Sequence, residues 1–254
     1  VVPELWHGAE FTPNSKWTTV MQWDSYKTRE YNGKSYGMKS ASFDKVKELP
    51  QQLKEENFEV ALGSQNAPAK ELHQQGWKII DPLAVTKTPE SYKAYIFNSK
   101  GEFSVAKQGY VTTRSGWFSE RSLNYMASGK PVVLEDTGFS DYLPVGKGVL
   151  AFSSAAEAAE AIEKVNGNYQ EHSKRAVEVV RNASRPLVVA GGNMYASQAA
   201  PAAEGYAVLD FQEAARLRAA GVAQPILMLE GFFEPLDVPL LAKYSLTPVV
   251  HNAE

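Results

Sequence analysis

Between Glu102 and Phe152 the sequence changes its hydrophobic period twice, and this constrains the fold more than any other feature. The spacing predicts a strand at Glu102 to Lys107, a Gly/Ser-rich turn from Arg114 to Ser119, and a helix opened by Ser119 with Glu120 in its first turn. Ser128-Gly129 stops that helix, the apolar strand Pro131 to Leu134 follows, and a second turn forms at Asp136-Thr137-Gly138. A strand, a crossover helix and a second strand in succession imply a right-handed connection and a parallel pair. Ligands of such sheets sit at the carboxyl ends of the strands, where the start of a helix offers free backbone N–H groups to an anion such as a diphosphate.

The same alternation runs on both sides. Upstream, strands are predicted at Trp17 to Trp23, Phe58 to Leu62 and Trp77 to Ile80, with helices at Phe43 to Leu53, Pro68 to Gln75 and Thr88 to Asn98. A polar loop from Asp24 to Ser40 carries Lys27, Arg29, Lys34 and Lys39, and reads either as a solvated basic loop or as one that reaches a ligand. Downstream, SSAAEAAEAIEKVN reads as a helix capped by Ser153 or Ser154, followed by another at Tyr169 to Arg181. The fold class is therefore α/β, a Rossmann-like parallel sheet. After Asn182 to Pro186 the composition changes: residues 186–254 hold a single lysine, Lys243, and are dense in Ala, Leu and Pro. The division expected is 1–16 as linker or remnant of an upstream domain, 17–183 as one domain and 184–254 as a second segment.

With 254 residues, 44% of them hydrophobic, the chain can bury a real core. A net charge of -3 gives no reason to expect nucleic acid or an anionic membrane surface as partner. The absence of cysteine rules out disulfides and thiolate chemistry and fits a cytoplasmic protein. No apolar run approaches the ~20 residues of a membrane span. His7, His73, His172 and His251 show no metal-ligand spacing, so no metal site is expected, and no nucleophile elbow is present.

Tyr125-Met126-Ala127-Ser128-Gly129-Lys130-Pro131-Val132-Val133, with the Asp136-Thr137-Gly138 turn and Gly148-Val149-Leu150, resembles the donor-binding core of GT-B glycosyltransferases. The resemblance spans about 17–181, and its fold would be the C-terminal half of GT-B. It implies a nucleotide-sugar donor as ligand and substrate. The donor-binding residues it points to are Lys107, Ser115, Gly116, Ser119, Arg121, Asn124, Asp136, Thr137 and Gly138. Where that family commonly carries a ribose-binding Glu and a second acidic residue, this sequence has Asn124 and Gly116. Lys107 reads equally as a surface lysine, Arg121 as a partner of Glu120 or Asp136, and Trp117 and Phe118 as packing residues. No catalytic residue is assigned, because the resemblance places the acceptor site in an absent domain, and little or no transfer is expected.

The tail is similar to something else. Gly205-Tyr206-Ala207-Val208, Gln212 to Gly221, Pro225 to Phe233 and Val249 to Glu254 resemble successive βα units of the alanine racemase barrel domain over about 186–254. That resemblance implies a PLP-dependent isomerase and a partial βα-barrel. Its cofactor lysine lies in a motif like VVKANAYGHG, matched here by Val188-Val189-Ala190-Gly191-Gly192-Asn193-Met194-Tyr195. No lysine occurs between Lys174 and Lys243, which speaks against PLP as a cofactor. The expectation is a composite in which the glycosyltransferase reading leads, and a PLP-dependent racemase-like protein or a non-catalytic chimera is the alternative. An abbreviated barrel needs a covering surface, either helix Ala155 to Val165 of the first domain or a second copy in a homodimer through the C-terminal segment.

Overall fold

The computed structural model describes residues 6, 16–64, 66–183, 187–189, 205–229 and 235–249. One compact unit spans 3–181 and another takes in 182–254. The α/β class and the parallel sheet predicted from the sequence are what the structure shows.

The first unit is built on six parallel strands: β1 (Lys16–Gln22), β4 (Phe58–Gly63), β5 (Lys78–Ile80), β6 (Ser99–Ser104), β7 (Val132–Glu135) and β8 (Val149–Phe152). Their order is β5-β4-β1-β6-β7-β8, so the chain winds outward from β1 in one direction and then from β6 in the other. The point where the order reverses, between β1 and β6, is where such sheets open a crevice. Every residue of β4 and β7 is buried, as expected of strands covered on both faces.

An aromatic cluster fills one face. Phe43 and Phe58 meet Trp77 at centroid distances of 4.7 and 5.2 Å, and Phe103 stacks on Phe152 at 5.3 Å. Helix α8 (Ala155–Gly167) lays Ala158, Ala161, Ile162 and Val165 into the same core. Its cap is Ser154, whose hydroxyl accepts from the Glu157 amide at 3.2 Å. The following helix, α9, covers Tyr169–Ala183.

Three sequence expectations shift. The loop after β1 contains a hairpin, β2 (Arg29–Tyr31) and β3 (Lys34–Tyr36), turned by Asn32-Gly33 with both residues at positive φ. The helix expected at Phe43 to Leu53 is two short ones, α1 (Lys39–Phe43) and α2 (Leu49–Gln52). Between them the Lys47 carbonyl accepts the Trp77 indole N–H at 2.7 Å instead of joining a helix ladder. The strand expected at Glu102 to Lys107 lies three residues earlier. Ser99 looks like a turn residue, yet it enters β6 because the Tyr95 carbonyl takes its hydroxyl at 2.8 Å and Thr18 Oγ1 lies 2.6 Å away. Helices α3 (Ala69–Gln74), α4 (Leu83–Thr86) and α5 (Pro89–Phe97) complete the connections before β6.

The second unit has four parallel strands in chain order: β9 (Leu187–Val189), β10 (Gly205–Val208), β11 (Ile226–Met228) and β12 (Leu246–Pro248). After β10 comes the amphipathic helix Phe211–Ala219. It is capped reciprocally: Asp210 accepts from the Glu213 amide at 2.8 Å, and Glu213 accepts from the Leu209 amide at 3.1 Å. Before β12 lies a shorter helix, Val238–Lys243. Tyr206, Val208, Ala214, Leu217, Ile226, Met228 and Leu246 form a core of their own. The His251 end of the tail motif and the Gly191-Gly192 pair fall outside the described residues.

Phe103 touches Phe58, Trp77 and Phe152, so it joins the two ends of the aromatic cluster. Phe103→Ala is expected to cost about 3–5 kcal/mol in urea denaturation followed by tryptophan fluorescence.

Candidate functional site

Two helix starts converge on the carboxyl edge of β6 and β7. Helix α6 (Gln108–Thr113) begins after Lys107, which is therefore a helix N-cap and not a strand end. Helix α7 (Glu120–Ala127) begins after Ser119, whose hydroxyl accepts from the Arg121 amide at 3.3 Å. The sharp turn between these helices is tied to the turn after β7, with the Gly116 N–H donating to the Thr137 carbonyl at 2.8 Å. The Thr137 hydroxyl returns a bond to the Trp117 carbonyl at 2.6 Å. Beneath these turns lies a cavity of about 340 Å³, lined by Lys39, Lys107, Ser119, Arg121, Glu135 and Thr137 among others.

The structure divides the sequence candidates. Lys107, Ser119, Arg121 and Thr137 reach the cavity. Ser115, Gly116, Asn124, Asp136 and Gly138 are not part of its lining. Ser115 is exposed, and its hydroxyl accepts from the Trp117 amide at 3.4 Å. Asn124 has its side chain beside the Tyr92 hydroxyl of α5. Asp136 is spent on its own turn, accepting from the Gly138 amide at 2.9 Å and the Ser140 hydroxyl at 2.7 Å. Burial opposes its charge, but those bonds and Arg114 outweigh the penalty and hold its carboxyl below the usual range. Gly138 stands at φ +97, and a Cβ there would meet the Arg114 carbonyl at 3.0 Å, so its role is steric.

Arg121 differs most from its expected role. It pairs neither with Glu120 nor with Asp136. Its Nε donates to Glu102 Oε1 at 2.6 Å, one terminal nitrogen donates to the Val20 carbonyl at 2.9 Å, and the other to Ser104 Oγ at 3.0 Å. The Glu102 side chain is 0% exposed and that of Arg121 17%. Burial disfavours the guanidinium charge, yet the Glu102 carboxylate more than compensates and keeps the group firmly protonated. Arg121 is thus a strut from α7 into the sheet, with every nitrogen engaged by protein.

Two residues that sequence reasoning did not single out complete the site. Glu135 is buried at the end of β7, with Oε1 2.8 Å from Lys45 Nζ and Oε2 accepting the Ala106 amide at 3.0 Å. Lys39, the first residue of α1, faces the cavity, and burial lowers its ammonium to about 7, helped by Arg121 and opposed by Glu102. The sequence places Lys39 among four cations of one polar loop, and nothing in its local pattern separates it from Lys27, Arg29 or Lys34. Among the described residues no group of His, Asp and Glu could hold a metal ion, and no helix is long and apolar enough to cross a membrane.

In the second unit Arg218 ties the helix Phe211–Ala219 to the turns around it. It donates to four carbonyls, those of Tyr244, Val222, Gln224 and Ser245, at 2.7–2.9 Å. Lys243 ends the helix that precedes β12 and stacks over the Tyr244 ring at 5.0 Å. It therefore lies toward the amino ends of the strands, opposite the edge where barrel sites form.

A family model for the alanine racemase N-terminal domain matches residues 189–254. Alanine racemase from Paraburkholderia phytofirmans is 49% identical over 53 residues, 21% of this chain and 15% of that protein. The biosynthetic alanine racemase of Salmonella typhimurium is 34% identical over 96 residues, 35% of this chain and 27% of its own length. Alanine racemase from Bordetella petrii is 53% identical over 53 residues, 21% of this chain and 14% of its own length. The chain thus spans between about a seventh and about a quarter of the length of these curated relatives.

These matches overturn the glycosyltransferase expectation, and with it the nucleotide-sugar donor: the similarity found is to alanine racemase. They also correct the reading that set PLP aside, because the family matched over residues 189–254 is that of alanine racemase.

Two outcomes follow for the first unit. Arg121→Met strands the buried Glu102 carboxylate and is expected to cost about 3–5 kcal/mol in chemical denaturation, much of it recovered in the Glu102→Gln/Arg121→Met double variant. Lys39 loses its proton near pH 7 when folded and near 10.5 when unfolded, so the unfolded chain binds more protons in between and stability rises with pH across that window. Lys39→Met is expected to flatten this slope and to raise Tm by about 5 °C at pH 6.5, measured by calorimetry.

Proposed function

We propose that this chain is racemase-like, with residues 189–254 serving as opening βα units of an alanine-racemase-type barrel. The observation that carries the reading is a coincidence of two independent features. The family match begins within β9 and runs to the end of the chain, and over the described part of that stretch the strands are parallel, in chain order and separated by helices. That is the repeat from which an eight-stranded barrel is made, with its site at the carboxyl ends of the strands. The activity, the amino-acid substrate and the use of PLP belong to the proposal, since the chain spans only part of its relatives.

PLP chemistry in this family needs a lysine amine. The residues present do not fit a covalently anchored PLP in this unit. The sequence has no lysine from 175 to 242, Lys243 lies at the wrong edge, and Arg218 is committed to backbone carbonyls. What the kinship supports is a scaffold of the right type with its anchoring position changed. By the resemblance that position is Ala190, directly after β9 and outside the described residues.

Restoring the amine tests the reading. Ala190→Lys is expected to gain a saturable, borohydride-stable PLP adduct mapped to residue 190, exceeding the labelling of Lys243. If residue 190 takes no label beyond that of an ordinary surface lysine, the racemase-type reading is wrong.

A further inference from the structure

The first unit holds an amine that neither the racemase-like reading nor the packing of the core uses. Lys39 stands at the carboxyl edge of the sheet, on the helix that follows the β1 loop, and faces the 340 Å³ cavity at the ends of β6 and β7. Among the described residues it makes no ion pair and no side-chain hydrogen bond. None of the carboxylates around it forms an ion pair with it. Glu102 on β6 gives Oε1 to Arg121 while its Oε2 is buried without a hydrogen-bond partner, Glu135 on β7 pairs with Lys45, and Glu120 lines the cavity at the start of α7. The cations facing it are Arg121 on α7 and Lys107 at the start of α6. Lys107 rests over the rings of Tyr26 and Tyr110, at 4.8 and 5.5 Å, with no carboxylate in ion-pair contact. The cavity thus presents an unpaired amine at one side and an uncompensated cation at another, in a volume suited to a small ligand.

We propose that Lys39 is a nucleophilic amine that condenses with a small anionic aldehyde or ketone held in this cavity. The Nζ lone pair adds to the carbonyl carbon, the carbonyl oxygen collects the two amine protons, and its departure as water leaves a C=N bond. No oxidant or reductant is required. Lys107 attracts the ligand's negative charge. Burial, with Arg121 and Lys107 beside it, lowers the Lys39 ammonium to about 7, so the neutral amine is available near neutral pH. Relative to an ordinary lysine its neutral fraction there is larger by on the order of a thousandfold. The proposal concerns residues 3–181 and stands or falls independently of the racemase-like reading of 189–254.

The test uses the full wild-type chain, with PLP as probe, borohydride trapping and peptide mapping. The expected result is labelling of Lys39 at least about tenfold faster than of any other lysine, with a rate that rises through about pH 7 and then levels. Pyridoxal, which lacks the phosphate, should label Lys39 more slowly than PLP, and Lys107→Gln should erase that difference. Lys39→Arg, which keeps the charge, should abolish the label. Labelling spread over the exposed lysines, a pH midpoint near that of an ordinary lysine, or equal rates for PLP and pyridoxal would overturn the proposal. Because mapping separates residue 39 from residue 190, failure here leaves the barrel test untouched.

Discussion

The Glu102–Arg121 pair is the constraint on which the first unit depends. A carboxylate on a central strand, fully withdrawn from water, is tolerable only with a cation held in good geometry beside it. Arg121 meets that need and at the same time bonds the Val20 carbonyl of β1 and the Ser104 hydroxyl of β6. One side chain therefore spans the two strands between which the sheet reverses direction and fixes α7 above them. Ser119 and the turn from Arg114 onward are placed by the same strut, since they lead without a break into Glu120, the first residue of α7.

That commitment also decides the electrostatics of the cavity. Had Arg121 been free, the site would have offered a guanidinium fork to an incoming anion. With Arg121 directed into the sheet and Glu135 closed off by Lys45, the charged groups left facing the cavity are the Lys39 amine, Lys107 resting on aromatic rings, and Glu120. Proximity to Arg121 raises the cost of protonating Lys39, so a structural ion pair indirectly shapes a chemical group.

The tail motif and the central motif differ in what they report. Ser128-Gly129-Lys130-Pro131-Val132-Val133 has a physical origin in the fold. The helix needs a residue at positive φ to stop, which Gly129 supplies at φ +70, and the next strand needs buried β-branched residues, which Val132 and Val133 supply. Any doubly wound unit with a helix stop directly before an interior strand favours that pattern, so it specifies architecture more strongly than chemistry. The tail pattern is longer, and its family match coincides with strands in barrel order, so kinship there rests on more than one local turn.

The sequence by itself determined the α/β class and most element positions. Hydrophobic period and caps are local properties, and Thr88, Ser119 and Ser154 each announce a helix through a bond made within a few residues. It also determined that no lysine lies between Lys174 and Lys243. Tertiary structure decided the rest. Ser99 became a strand residue because Thr18 and Tyr95 take up its hydroxyl, and the helix after β1 broke because Trp77 claims the Lys47 carbonyl. Arg121 found Glu102, nineteen positions away, in preference to its sequence neighbours, and Lys39 was distinguished from the other cations of its loop only by what surrounds it. The physical reason is common to these cases. Burial and partner choice arise from residues distant along the chain, and the free energy of a charge or a hydroxyl inside a protein is set by those neighbours, not by the residues beside it in sequence.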